Sequence, residues 1–137
     1  MPTILCIDDD TKTLDVQKAI LEQNGYTVLL AEGGSAGIRL AAEQPVDLVI
    51  LDFKMPGMDG GEVAAILLQD DPELPIVIRS GYLDSIPEWL RWCAIANLEK
   101  GDGPDAMLTA IEGLIGKNKM PTQPIEAAPR KPKRRVA

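Results

Sequence analysis

The chain contains no histidine and only two cysteines, Cys6 and Cys93. Neither belongs to a CxxC pair, and both sit among apolar neighbours, which argues against a disulfide framework or a structural zinc site. A reducing cytoplasm is the expected setting. No uninterrupted apolar run is long enough to cross a bilayer. Met1-Pro2-Thr3 leads straight into a strand-like run, so no signal peptide is expected. Basic residues are outnumbered 14 to 21, for a net charge of -7. They are also unevenly placed: residues 117–137 carry +6 and the remainder carries -13. An acidic body of that kind is a poor nucleic-acid surface, since phosphate contacts need Lys and Arg.

What is present suits one domain with a proper core. The 137 residues are 45% hydrophobic, and mean hydropathy is -0.01. Apolar runs at 3–7, 26–31, 46–51, 75–79 and 93–98 read as strands. Between them lie helical patterns. Residues 11–24 end before Gly25, a good position for a helix to stop, and 35–44 stop before Pro45. Within 61–69, Val63, Ile66 and Leu67 fall at i, i+3 and i+4. Ser85-Ile86-Pro87-Glu88 reads as a capping box opening a fourth helix. Pro104 opens the last helix, with Met107, Leu108, Ile111, Leu114 and Ile115 on one face. Alternating strands and helices imply βαβ units and a parallel sheet covered on both faces. The expected fold is α/β, a flavodoxin-like, doubly wound five-stranded parallel sheet in the order 2-1-3-4-5. The domain spans 1–116, and 117–137 form a basic, Pro-rich tail expected to be disordered.

The run "ILCIDDD" (4–10) sets three carboxylates directly after the first strand, where like charges repel. In an open parallel sheet, ligands bind at the carboxyl ends of the strands, at the switch point between the first and third. The third strand also ends in an acid, Asp52, so Asp8, Asp9 and Asp52 are expected to converge. Three carboxylates in one pocket are tolerable around a hard divalent cation, and oxygen-only donors favour Mg²⁺ or Mn²⁺. Ser80 and Lys100 end the fourth and fifth strands. A hydroxyl, an ammonium and a cation around a carboxylate make a cradle for a phosphoryl group.

These residues resemble the receiver domain of two-component response regulators over about 3–116. The most specific piece is "DLVILDFKMPGMDG" (47–60), joined by the "DDD" run, Ser80-Gly81 and Lys100. The resemblance implies that Asp52 is the nucleophile taking a phosphoryl group from a histidine kinase or phosphotransfer protein. It implies Mg²⁺ held by Asp9 directly, by Asp8 partly through water, by Asp52 and by the backbone carbonyl of Lys54. Ser80 would bond a phosphoryl oxygen and Lys100 would pair with the phosphoryl group, while Asp10 receives no metal bond. Such a protein is not an enzyme beyond its own phosphorylation and dephosphorylation.

The sequence departs from the family at Asn97, where an aromatic is usual, and at Gly101, where a proline usually follows the lysine. Arg79 lies in a strand usually apolar throughout. By alternation it points away from Ser80's side, which reads as a structural role. Lys54 and Tyr82 occupy positions that in this family tune the access of water to the aspartyl phosphate. About twenty residues of tail cannot bury a second core, so a single-domain regulator acting by protein docking is expected. Trp89 and Trp92 place aromatics on the fourth helix, part of the face formed with strand five and helix five through which receivers usually signal. The basic tail receives no specific nucleic acid or membrane partner. Two rivals remain. A haloacid-dehalogenase-type phosphatase would use an aspartate after strand one, and "DDDTK" fits it poorly. A receiver-fold interaction module independent of phosphorylation would draw support from Asn97 and Gly101.

Overall fold

The computed structural model describes residues 2–81, 86–93, 96–99 and 103–116. Five strands, β1 (Thr3–Ile7), β2 (Thr27–Ala31), β3 (Leu48–Asp52), β4 (Ile76–Ser80) and β5 (Ala96–Glu99), alternate with five helices. The helices are α1 (Thr11–Gln23), α2 (Gly34–Glu43), α3 (Gly60–Asp70), α4 (Glu88–Cys93) and α5 (Pro104–Ile111), the last continued by a π-helical turn over Glu112–Gly116. The strands form one parallel sheet in the order β2-β1-β3-β4-β5. The flavodoxin-like architecture and strand order expected from the sequence are the ones observed.

Alternation along each strand divides the core in two. Ile4, Cys6, Leu48, Ile50 and Val77 face Leu14 and Leu21 of α1 and Met107 and Ile111 of α5. Leu5, Ile7, Val49, Leu51, Ile76 and Ile78 face Ala41 of α2, Val63 and Leu67 of α3 and Leu90 of α4. Because helices cover both faces, both sets of side chains must be apolar, which is why the strands read as unbroken apolar runs.

The element ends differ from the sequence reading where backbone hydrogen bonds outlast the apolar pattern. β3 and β4 include Asp52 and Ser80, and the Phe53 amide still donates to the Arg79 carbonyl at 2.9 Å. Cys93 falls in α4, and β5 begins at Ala96, later than the apolar run suggests. The side chains of Trp92 and Asn97, and all of Tyr82, Ser85, Lys100, Gly101 and 117–137, lie outside the described residues. Among the described residues, no helix is long and apolar enough to cross a membrane.

Candidate functional site

The carboxyl end of the sheet gathers the acids. Asp52 closes β3 and is 1% exposed; Asp8 follows β1 and is 3% exposed. Asp9 is exposed beside them. One carboxylate oxygen from each of the three lies within 4.8 Å of the others. Two oxygens on one octahedral Mg²⁺ stand at most ~4.2 Å apart, and that ion usually keeps several waters and takes few carboxylates. Small side-chain movements would close the remaining gap, so the donor set fits a hard divalent cation.

Each acid of the "DDD" run has a different local task. Asp8 Oδ1 accepts a hydrogen bond from the Asp10 amide at 3.0 Å. Asp10 turns the other way and caps α1, its Oδ1 accepting from the Lys12 amide and its Oδ2 from the Thr13 hydroxyl, both at 3.0 Å. Those bonds, the Thr13 hydroxyl foremost, hold the Asp10 carboxyl below the usual aspartate range. Asp10 is thereby taken out of the cluster, and Asp8 and Asp9 remain beside Asp52. The cap on α1 went unassigned in the sequence reading, although an aspartate immediately before a helical pattern is its usual signal.

The segment after Asp52 is built to fold back tightly. Gly57 adopts φ +84°, a left-handed turn that glycine tolerates. The Gly60 amide donates to the Phe53 carbonyl at 2.7 Å. Asp59 then caps α3 in a reciprocal box with Glu62. The "MPGMDG" pattern thus returns the chain beside Asp52 and starts a helix within a few residues. Lys54 is exposed at the head of this loop.

At the end of β4, Ser80 is buried and Gly81 exposed. Arg79 requires a correction. It does lie on the face opposite Ser80, but that is the face of Asp52, its register partner on β3. Arg79 Nη1 donates to Asp8 Oδ2 at 3.3 Å, making an ion pair with 17% and 4% exposed side chains. Alternation alone separated Arg79 from Ser80. Placing it in the acidic site also required the strand register, which paired residues in a parallel sheet share by face. Beneath the pair, burial pushes the Cys6 thiol up to about 12, with Arg79 acting in the opposite direction and Asp8 adding to it.

Comparison with known proteins agrees with this geometry. The response regulator receiver domain family matches residues 4–112. The chain is 31% identical over 115 residues to the transcriptional regulatory protein AfsQ1 of Streptomyces coelicolor, covering 84% of this chain but 48% of that protein. A response regulator receiver domain protein from Clostridium thermocellum superposes with a TM-score of 0.80 at 29% identity, over 87% of this chain and 98% of that one. TrrA from Thermotoga maritima, solved in complex with Mg²⁺-BeF, gives 0.78 at 28% identity, over 83% and 99%. This chain belongs to the response regulator receiver family of two-component systems. It spans about half the length of AfsQ1.

Proposed function

We propose that Asp52 accepts a phosphoryl group from the phosphohistidine of a histidine kinase or phosphotransfer protein, and that the folded unit signals by changed docking on other proteins. The observation that carries this reading is the convergence of Asp8, Asp9 and buried Asp52 at the switch point of the sheet. An Asp52 carboxylate oxygen bonds to phosphorus as the donor's N–P bond breaks, and the imidazole nitrogen keeps the electron pair. Mg²⁺, held by Asp9, by Asp8 partly through water, by Asp52 and by the Lys54 carbonyl, would neutralise charge on the transferring oxygens. Ser80 is assigned a hydrogen bond to a phosphoryl oxygen, and Lys100 an ion pair with the phosphoryl group. TrrA, similar over nearly its whole length, was solved with Mg²⁺-BeF, which supports Mg²⁺ here. The chain would catalyse only its own phosphorylation and dephosphorylation. Trp89, 45% exposed on α4, supports that helix as part of the docking face. A reducing cytoplasm suits the free, buried Cys6 thiol.

Intact mass after incubation with acetyl phosphate tests the reading. A gain of one phosphoryl group that needs Mg²⁺ and disappears in Asp52→Asn is expected. Absence of labelling both by acetyl phosphate and by phosphohistidine donors would overturn it in favour of an interaction module independent of phosphorylation.

A further inference from the structure

The ion pair between Arg79 and Asp8 has no part in the phosphoryl chemistry above, yet it sits within it. Strand β3 lies between β1 and β4, so the guanidinium bridges two strand spacings, roughly 10 Å. In doing so it crosses the register row of Asp52. It ends on Asp8 Oδ2, while Oδ1 is engaged by the Asp10 amide. The orientation of Asp8 therefore has a second, independent anchor. The positions preceding Arg79 and Asp52 on this face, Val77 and Ile50, are buried and apolar, so an apolar side chain at 79 would continue the face. A guanidinium there instead places a fixed positive charge against a carboxylate of the cation site. Arg79 also lines a cavity of about 310 Å³ with Thr13, Gln17, Leu98, Pro104 and Met107, which offers it room to turn aside.

We propose that Arg79 is a built-in counter-cation of the acidic site: its guanidinium stands in for part of the divalent charge at Asp8 and thereby weakens, and so sets, the affinity for Mg²⁺. The inference rests on reading the three acids as a Mg²⁺ site. Arg79 is on this account a positioning residue that acts through Asp8. With it in place the protein tolerates its clustered carboxylates without a cation, and metal must compete with it for Asp8. Replacing it by an apolar residue keeps the Asp10 amide on Asp8 Oδ1 and removes one positive charge from Oδ2.

Calorimetric titration of Mg²⁺ into wild type, Arg79→Met and Arg79→Lys tests this, together with thermal unfolding with and without Mg²⁺. Arg79→Met is expected to lower the Mg²⁺ dissociation constant by roughly tenfold, while Arg79→Lys stays near wild type. In an Asp8→Asn background the Arg79→Met effect should vanish. The rise in unfolding temperature on adding Mg²⁺ should also be larger in Arg79→Met, whereas a purely structural arginine would lower the temperature equally with and without the ion. Should Arg79→Met not fold, Arg79→Gln, which keeps a hydrogen-bond donor and loses the charge, carries the same expectation. Unchanged or weaker Mg²⁺ binding in the charge-removing variant, alongside binding by wild type, would overturn the counter-cation role and leave the phosphoacceptor reading standing. No Mg²⁺ binding by any variant, together with failure to label Asp52, would overturn both.

Discussion

A Cβ built on Gly60 would stand 2.6 Å from the Cα of Phe53 and 3.0 Å from the carbonyl oxygen of Asp52. Both neighbours are backbone, held in the sheet by the Phe53 amide on β4, and neither can swing away as a side-chain tip could. Gly60→Ala should therefore displace the loop that begins at Asp52, costing about 1–3 kcal/mol of stability in urea unfolding, as overpacking does. It should also reduce acetyl-phosphate labelling of Asp52. Gly113→Ala, where a Cβ meets nothing within 4 Å, should leave both measurements near wild type.

Asp10→Ala should separate the cap from the cation site. Without the acceptor for the Lys12 amide and the Thr13 hydroxyl, α1 frays and the urea midpoint falls, while Mg²⁺ binding persists. Asp8→Asn and Asp9→Asn should show the reverse emphasis, with Mg²⁺ binding reduced severely. The lowered Asp10 pKa fixes the sign of the pH effect. Its contribution is present above the ordinary aspartate range and is lost as pH falls through the native value. The stability gap between wild type and Asp10→Ala should therefore narrow on acidification.

Cys6 should be chemically silent in the folded protein. Its thiol, pushed up to about 12 by burial, stays protonated at the alkaline pH used for alkylation, so iodoacetamide should modify Cys6 only after unfolding. The native state holds this proton more tightly than the unfolded chain. The contribution is therefore complete below the unfolded thiol pKa, near 9, and is lost as pH rises towards the native value. Wild type should lose stability over that interval more steeply than Cys6→Ala, by up to ~1.4 kcal/mol per pH unit. Parallel pH profiles for the two proteins would contradict this.

Asp52→Asn should do more than abolish labelling. It removes one of three carboxylates whose oxygens crowd within 4.8 Å. Relief of like-charge repulsion should raise stability without Mg²⁺ by about 1 kcal/mol, and the further stabilisation by Mg²⁺ should shrink. A variant less stable than wild type under both conditions would mean that Asp52 supports the fold rather than straining it.

The parts legible in the sequence were those with local causes. The apolar run at Leu48–Asp52 needs only burial on two faces to become a central strand. The expected convergence of Asp8, Asp9 and Asp52 follows from the strand order, because every parallel strand delivers its last residue to the same edge of the sheet. The Asp59–Glu62 capping box is also local, written within four residues of chain, but the reading of 61–69 as a helix did not include it. Arg79 was harder to place. Its partner lies 71 residues away, and nothing near it in sequence reveals whether it faces a helix, solvent or an acid.

By itself, then, the sequence determined which segments are strands and helices, which edge of the sheet is acidic and that the donors are all oxygens. These follow from hydrophobic period, turn chemistry and residue type, each read over a few neighbouring residues. Tertiary structure alone decided that Arg79 spans β3 to pair with Asp8, and that Gly60 abuts the Asp52 backbone. The physical reason is that side-chain period fixes only which face a residue takes. Which groups meet on that face depends on register and on distances between strands and loops far apart along the chain.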